Sequence, residues 1–196
     1  MSKVRERILD VASQLFYEKG IRAVGIDAII GEADVARMSF YRHFRSKEGL
    51  VVACIARRDE AVRAWFDTQV RRIAPDPKDR PLAVFDALAK RFASEDFRGC
   101  GFINAMAESS DRTGATHRSA AGHKARFQVL LAQLLREAGL DEAHAADLLL
   151  LFDGATVAAV REGSAAPAFR ARRMAAALLG VPEPGPKKRR AKAAAH

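Results

Sequence analysis

The sequence predicts an all-α fold. Apolar residues recur at helical spacing in segment after segment, and no stretch alternates with the period of a strand. Glycine, proline and capping side chains divide the chain into successive helices, and no internal repeat appears. With 49% hydrophobic residues over 196 positions, a sizeable core is available, in one large domain or in a small one joined to a larger one.

Val4, Ile8, Val11, Ala12, Leu15 and Phe16 predict a first helix over Lys3–Lys19, ended by Gly20 as a left-handed cap. Lys3 and Arg5 at its start suit phosphate contacts or a plain solvated helix start. From Asp27 to Lys47 the pattern is two short helices joined by a tight turn. Ile29, Ile30 and Ala33 form an apolar face on the first, and Phe40 and Phe44 do so on the second. Arg37 shares a face with Tyr41, Met38 with Arg42, and Ser39 with His43, because residues four apart lie one turn apart. The basic residues Arg37, Arg42, Arg45 and Lys47 follow with no acid between them. A short helix seated on two phenylalanines that shows Arg, Ser, Tyr and His outward is built to enter a major groove, as the second helix of a helix-turn-helix.

The run Phe40-Tyr41-Arg42-His43-Phe44-Arg45-Ser46-Lys47-Glu48-Gly49-Leu50 resembles the signature that follows the recognition helix in the tetracycline-repressor (TetR/AcrR) family. Gly20, Ile26-Asp27-Ala28-Ile29 and Ala33-Asp34-Val35-Ala36 resemble its lead-in, so the likeness covers roughly the first quarter of the chain. Two positions depart from the family pattern. Asp34 stands in the turn where the family usually has Gly; Asp tolerates a left-handed conformation. Ala36 stands where Ser often begins the recognition helix, a lost cap costing about 1 kcal/mol unless Asp34 caps instead. The resemblance implies that Tyr41, His43 and Lys47 clamp phosphates. Arg37 and Ser39, with Met38 and Arg42, are placed to meet base edges.

Ser46 predicts an N-cap, with Glu48 near the positive end of the helix dipole, for a long helix over Lys47–Arg72. One side of it carries Leu50, Cys54, Arg57, Arg58, Ala61, Trp65 and Phe66. By resemblance, its tilt transmits a ligand signal to the DNA-reading helices. Pro75-Asp76-Pro77 stops it, the clearest break between the DNA-reading module and a C-terminal domain, and Asp79 before Arg80-Pro81 predicts a fresh N-cap. The next helix carries Leu82, Phe85, Leu88, Ala89 and Phe92 and is interrupted by Arg98-Gly99-Cys100-Gly101. A short helix over Phe102–Glu108, a loop over Ser109–Gly114, and helices over Thr116–Ala138, Asp141–Glu162 and Ala165–Leu179 complete the pattern, with Pro167 tolerated in a first turn. The last two are richer in Leu and Ala than one face needs, which predicts a four-helix interface with a second copy. The assigned ranges are 1–49 for the helix-turn-helix DNA-binding domain, 50–181 for a helical ligand-binding and dimerisation domain, and 182–196 for a basic disordered tail.

Net charge is +9, and five basic residues lie between Lys187 and Lys192. Such a tail adds salt-sensitive, sequence-blind affinity for DNA. Cys54 and Cys100 offer neither zinc spacing nor a disulfide framework, which fits a reducing cytoplasm. Charges at Lys3, Arg5, Glu6 and Arg7 exclude a signal peptide, and the apolar stretches are read as interrupted well short of a membrane span. No cofactor is expected.

In the C-terminal part, Trp65, Phe66, Phe85 and Phe92 are candidates to line an apolar effector cavity. Phe102, Met106, Phe127 and Phe152 join them, although for any single one a plain core position is the default. Asn104 and Glu108, one turn apart, would hold a metal ion or a polar ligand group if they converge with His123 and Asp153; capping or solvent-facing roles are the default. His117 is a weaker substitute for His123, and some family members carry a stretch similar to Gly99–Asn104. The reading is thus a homodimeric, ligand-responsive repressor of a palindromic operator. Two rivals are weaker: a sequence-blind nucleoid binder relying on the tail, and a hydrolase using Cys100 or Ser110 with His117 or His123, for which no nucleophile elbow is visible.

Overall fold

A computed structural model describes residues 2–183. The basic-tail expectation therefore lies almost wholly outside the described residues. Nine α-helices form among them: α1 (Lys3–Lys19), α2 (Ile26–Glu32), α3 (Arg37–His43), α4 (Lys47–Ile73), α5 (Arg80–Phe92), α6 (Gly101–Glu108), α7 (Ala115–Glu137), α8 (Ala145–Glu162) and α9 (Ala166–Leu179). The bounds agree with the periodicity to within a few residues, and several are set by a local signal. Ser46 caps α4 by accepting the Gly49 N–H at 3.0 Å. Gly163 and Gly180, both left-handed, end α8 and α9. Pro167 sits in the first turn of α9.

Several local expectations need correction. Gly20 has φ 88° but ψ 153°, an extended mirror conformation essentially reserved for glycine rather than the left-handed helical cap. Asp79 does not cap α5. Asp76 instead accepts the Lys78 N–H at 3.0 Å and starts a 3₁₀ turn over Pro77–Asp79, so Asp79 is already helical. Asp141 likewise caps a 3₁₀ turn over Glu142–His144 that feeds α8. The span Glu142–Glu162 reaches a mean hydropathy of 1.4, so length and composition alone suffice for a membrane crossing, against the sequence reading. One side of it packs in the core through Leu148, Phe152, Ala155 and Ala159.

Two cores result. The head, α1 to α3 with the start of α4, closes around Ile8, Leu9, Ala12, Ile29, Phe40 and Leu50. The larger core joins α4, α5, α7, α8 and α9 around Phe66, Phe85, Phe127, Leu131 and Leu148. A seam of Val51, Ile55, Phe102, Ala105 and Ala120, flanked by Phe16 and Ile21, connects them. Glu137 fastens one end of the larger unit: Arg71 of α4 donates to both its oxygens, at 3.0 and 3.1 Å, and Arg80 of α5 donates at 2.6 Å. The Arg71 hydrogen bonds are the main reason its carboxyl is held down at about 2.

Candidate DNA-reading helix and effector cavity

Phe40 is wholly buried and Phe44 nearly so, their rings 6.1 Å apart, so α3 is seated on the head core as its spacing predicts. This leaves the opposite face free. Met38 is 75% exposed, Arg37, Tyr41, Arg42 and Arg45 are exposed, and Ser39, His43 and Lys47 are half-buried. Asp34 takes φ 47°, the only positive φ outside glycine among the described residues, as the left-handed turn requires. It does not replace the missing cap: no side chain caps α3 at Ala36. The Asp34 carbonyl instead accepts from Arg7 of α1. The sequence did not foresee that the Arg37 guanidinium pairs with Asp27 of α2, both largely exposed. His43 Nε2 lies 3.4 Å from the Ser2 hydroxyl, at the start of α1.

A cavity of about 470 Å³ opens among α4, α5, α6, α7 and α8, within the usual range for small-molecule sites. Trp65, Phe66, Phe92, Phe102, Phe127 and Phe152 form its walls, together with His123. Phe66 meets Phe127 and Phe152 edge-on, with centroids 5.3 and 5.2 Å apart. Phe85 is not among the lining residues; it is 1% exposed and belongs to the core beneath. Asn104 and Glu108 line a second cavity of about 390 Å³ between α1, α4 and α6. There the Asn104 amide donates to the Arg98 carbonyl, and Glu108 accepts the Arg22 N–H at 2.7 Å. Met106 packs in the seam instead of the aromatic cavity.

His123 and Asp153 also have separate partners. His123, 3% exposed and stacked on Phe102 at 3.4 Å, lies 2.7 Å from Asp59 through Nδ1, and Asp153 pairs with Lys124. The convergence on which a joint site depended does not occur: Asn104 and Glu108 line the second cavity, His123 lines the first, and Asp153 is paired with Lys124. Among the described residues no three His, Cys, Asp or Glu side chains group to hold a metal ion.

Asp59, unremarked in the sequence, is the buried carboxylate of the domain. Arg63 (2.9 Å), Arg126 (2.5 Å) and His123 all reach it. Burial pushes its pKa up, yet those hydrogen bonds together outweigh burial and hold it below the usual range. For His123 burial wins: its pKa falls to about 4 despite Asp59, so the ring is neutral near pH 7 and donates from Nδ1. The signal for Asp59 was available, since it falls on the stripe of Ile55, Val62 and Phe66. Cys54 is buried, which pushes its thiol up, and half-buried Cys100 forms part of the cavity wall.

A helix-turn-helix whose second helix keeps a cationic, aromatic face in water, joined by a long helix to a helical domain with an aromatic cavity, is the build of a DNA-binding regulator. The chain belongs to the TetR family. Residues 8–54 match the family of bacterial regulatory proteins called tetR. The crystal structure of SCO4454, a TetR-family transcriptional regulator from Streptomyces coelicolor, is similar over 90% of this chain and 95% of that one, at 31% identity and a TM-score of 0.78. Escherichia coli NemR in its reduced form superposes with a TM-score of 0.81 at 25% identity, over 92% of this chain and all of that one. By sequence, the match to the transcriptional repressor NemR of E. coli K12 is 29% over 123 residues, 60% of this chain and 62% of that protein.

Proposed function

We propose that the chain is a homodimeric, ligand-responsive repressor in which two copies of α3 enter successive major grooves of a roughly palindromic site, about 34 Å apart. The outward face of α3 is the observation that carries the reading. Tyr41, His43 and Lys47 hold phosphates, and Arg37, Ser39, Met38 and Arg42 meet base edges. The Asp27 carboxylate keeps the Arg37 guanidinium in place until a base or phosphate replaces it. Residues 1–49 act as the reading unit and 50–181 as the sensing and dimerising unit.

The unpartnered apolar side of α8 and α9 supports the dimer. Leu150, Val157, Val160, Phe169, Met174 and Leu178 are all large, apolar and exposed in the single chain. Together they form the face that a second copy covers, and this accounts for the high hydropathy of α8 without a membrane. The aromatic cavity supports the sensing role. Its occupant and the operator weaken each other reciprocally, typically by about 1–3 kcal/mol.

Selecting the preferred duplex from a random pool tests the reading. Enrichment of a two-fold symmetric site supports it, and a pool that stays random removes it. The same duplex then identifies the neighbouring genes.

A further inference from the structure

Charge around the aromatic cavity is one-sided. Arg58, Lys90, Arg91 and Lys124 line it, and among the described residues no carboxylate does. Lys124 pairs with Asp153, and Arg91 pairs with Asp96 through Nη1 alone, its Nη2 being held only by the Tyr17 hydroxyl. Arg58 and Lys90 have no carboxylate partner among the described residues. Arg58 lies over the Tyr17 ring, 4.0 Å from its centroid, and Lys90 reaches only the Gln69 amide oxygen at 3.4 Å. Uncompensated positive charge beside low-dielectric aromatic walls attracts an anion and repels a cation. A guanidinium fork, in addition, matches the plane of a carboxylate.

Arg58 and Arg91 also face the head. Tyr17 of α1 accepts from Arg91 Nη2 at 3.0 Å and from the Arg98 N–H at 2.8 Å, and donates to the Gly99 carbonyl at 3.1 Å. Arg58 covers its ring. Tyr17 thus ties α1, which packs beneath α3 through Ile8, Leu9 and Ala12, to the cavity wall. A ligand that draws Arg58 and Arg91 inward takes them from Tyr17.

We propose that the effector is an organic carboxylate with an apolar, ring-bearing body, its carboxylate held by Arg58 and Arg91 and its body among Trp65, Phe66, Phe127 and Phe152, and that this hold loosens Tyr17 and with it the reading head. The assignment rests on the ligand-responsive reading above and narrows it to one chemical class.

Trp65 is the only tryptophan in the chain and lines the cavity, so its fluorescence reports occupancy without a label. The test titrates the full chain with 4-phenylbutyrate, 4-phenylbutanol and 4-phenylbutylammonium, which differ only in the head group. The carboxylate is expected to bind about tenfold or more tighter than the alcohol, with the ammonium weakest. Arg58→Gln and, separately, Arg91→Gln bring the carboxylate toward the alcohol and leave the alcohol unchanged, which also shows that each variant keeps its cavity. Equal or tighter binding of the alcohol or ammonium, no carboxylate binding at millimolar concentration, or indifference of the carboxylate to both substitutions overturns the class.

The DNA side is read separately, on the selected duplex. Carboxylate binding that lowers duplex affinity in the native chain, and lowers it less in Tyr17→Phe, supports the Tyr17 link. Carboxylate binding that leaves duplex affinity untouched overturns that link and the ligand-responsive reading, while the ligand class stands.

Discussion

In the head, α1 to α3 bury only apolar side chains and leave every charge at least partly in water, whereas the C-terminal helices bury Asp59 and His123 against each other. The head core is drawn from residues close in sequence, Phe40 and Phe44 on one helix and Ile29 and Ala33 on the one before. The buried pair of the larger domain joins positions 64 residues apart. A surface that reads a polyanion needs exposed cations on a rigid seat. A domain that responds to a small molecule needs polar groups inside, where low dielectric magnifies them and each must be matched. The two halves should therefore fail in different ways.

The largest difference is expected from Phe40→Ala. Removing a wholly buried ring costs about 3–5 kcal/mol. The loss should fall on the head: amide exchange over residues 3–44 accelerates and duplex binding disappears, while protection in α5 and α7–α9 persists. Uniform loss across both units would mean that the head and the body fold as one.

Acid should strike the other half first. The folded His123 pKa of about 4 lies below the ordinary value near 6.5, so between those values the unfolded chain binds the proton and the folded chain does not. Stability present above pH 6.5 is lost as pH falls toward 4, by at most about 3 kcal/mol, and changes no further from this group below that. Asp59 bonds the ring and is itself held by Arg63 and Arg126, the charges of Lys124 and Arg126 also act on the ring, and Asp59, held below the usual carboxylate range, stays ionised across this window. Denaturant midpoints measured from pH 7 to 4.5 should drop in the native chain and stay flatter in His123→Gln. Parallel slopes would place the acid sensitivity elsewhere.

Substitutions on the reading face should separate sequence preference from grip. Arg37→Ala is expected to cost about 1–3 kcal/mol on the selected duplex and to relax preference at one base pair, whereas Tyr41→Ala weakens selected and random duplexes alike. Equal losses from Arg37→Ala on both duplexes would move Arg37 to a phosphate. The smallest effect is Ser46→Ala, about 1 kcal/mol from the lost Gly49 cap, read as a lower unfolding midpoint.

The same contrast explains what the sequence disclosed. Helix bounds, the Ser46 cap and the Phe40–Phe44 seat are consequences of residues one turn apart, so periodicity and capping rules expose them, whereas the left-handed Asp34 was legible only through the family resemblance. Which phenylalanine faces a cavity is decided by how five helices pack. Phe85 and Phe92 share a helix and an apolar character, yet only Phe92 reaches the cavity wall. Nor does spacing along the chain reveal that Glu108 turns to Arg22, Asp153 to Lys124 and His123 to Asp59. Asp59 was legible in part: an acid on the apolar stripe of α4 predicts a buried charge, but not the identity of its partners.

The most direct test of the account is sedimentation of the full chain with the selected duplex and with a scrambled one at physiological salt. The account predicts two chains per selected duplex, bound about a thousandfold or more tighter than to the scrambled sequence. A single chain per duplex, or equal affinity for both sequences, would contradict it.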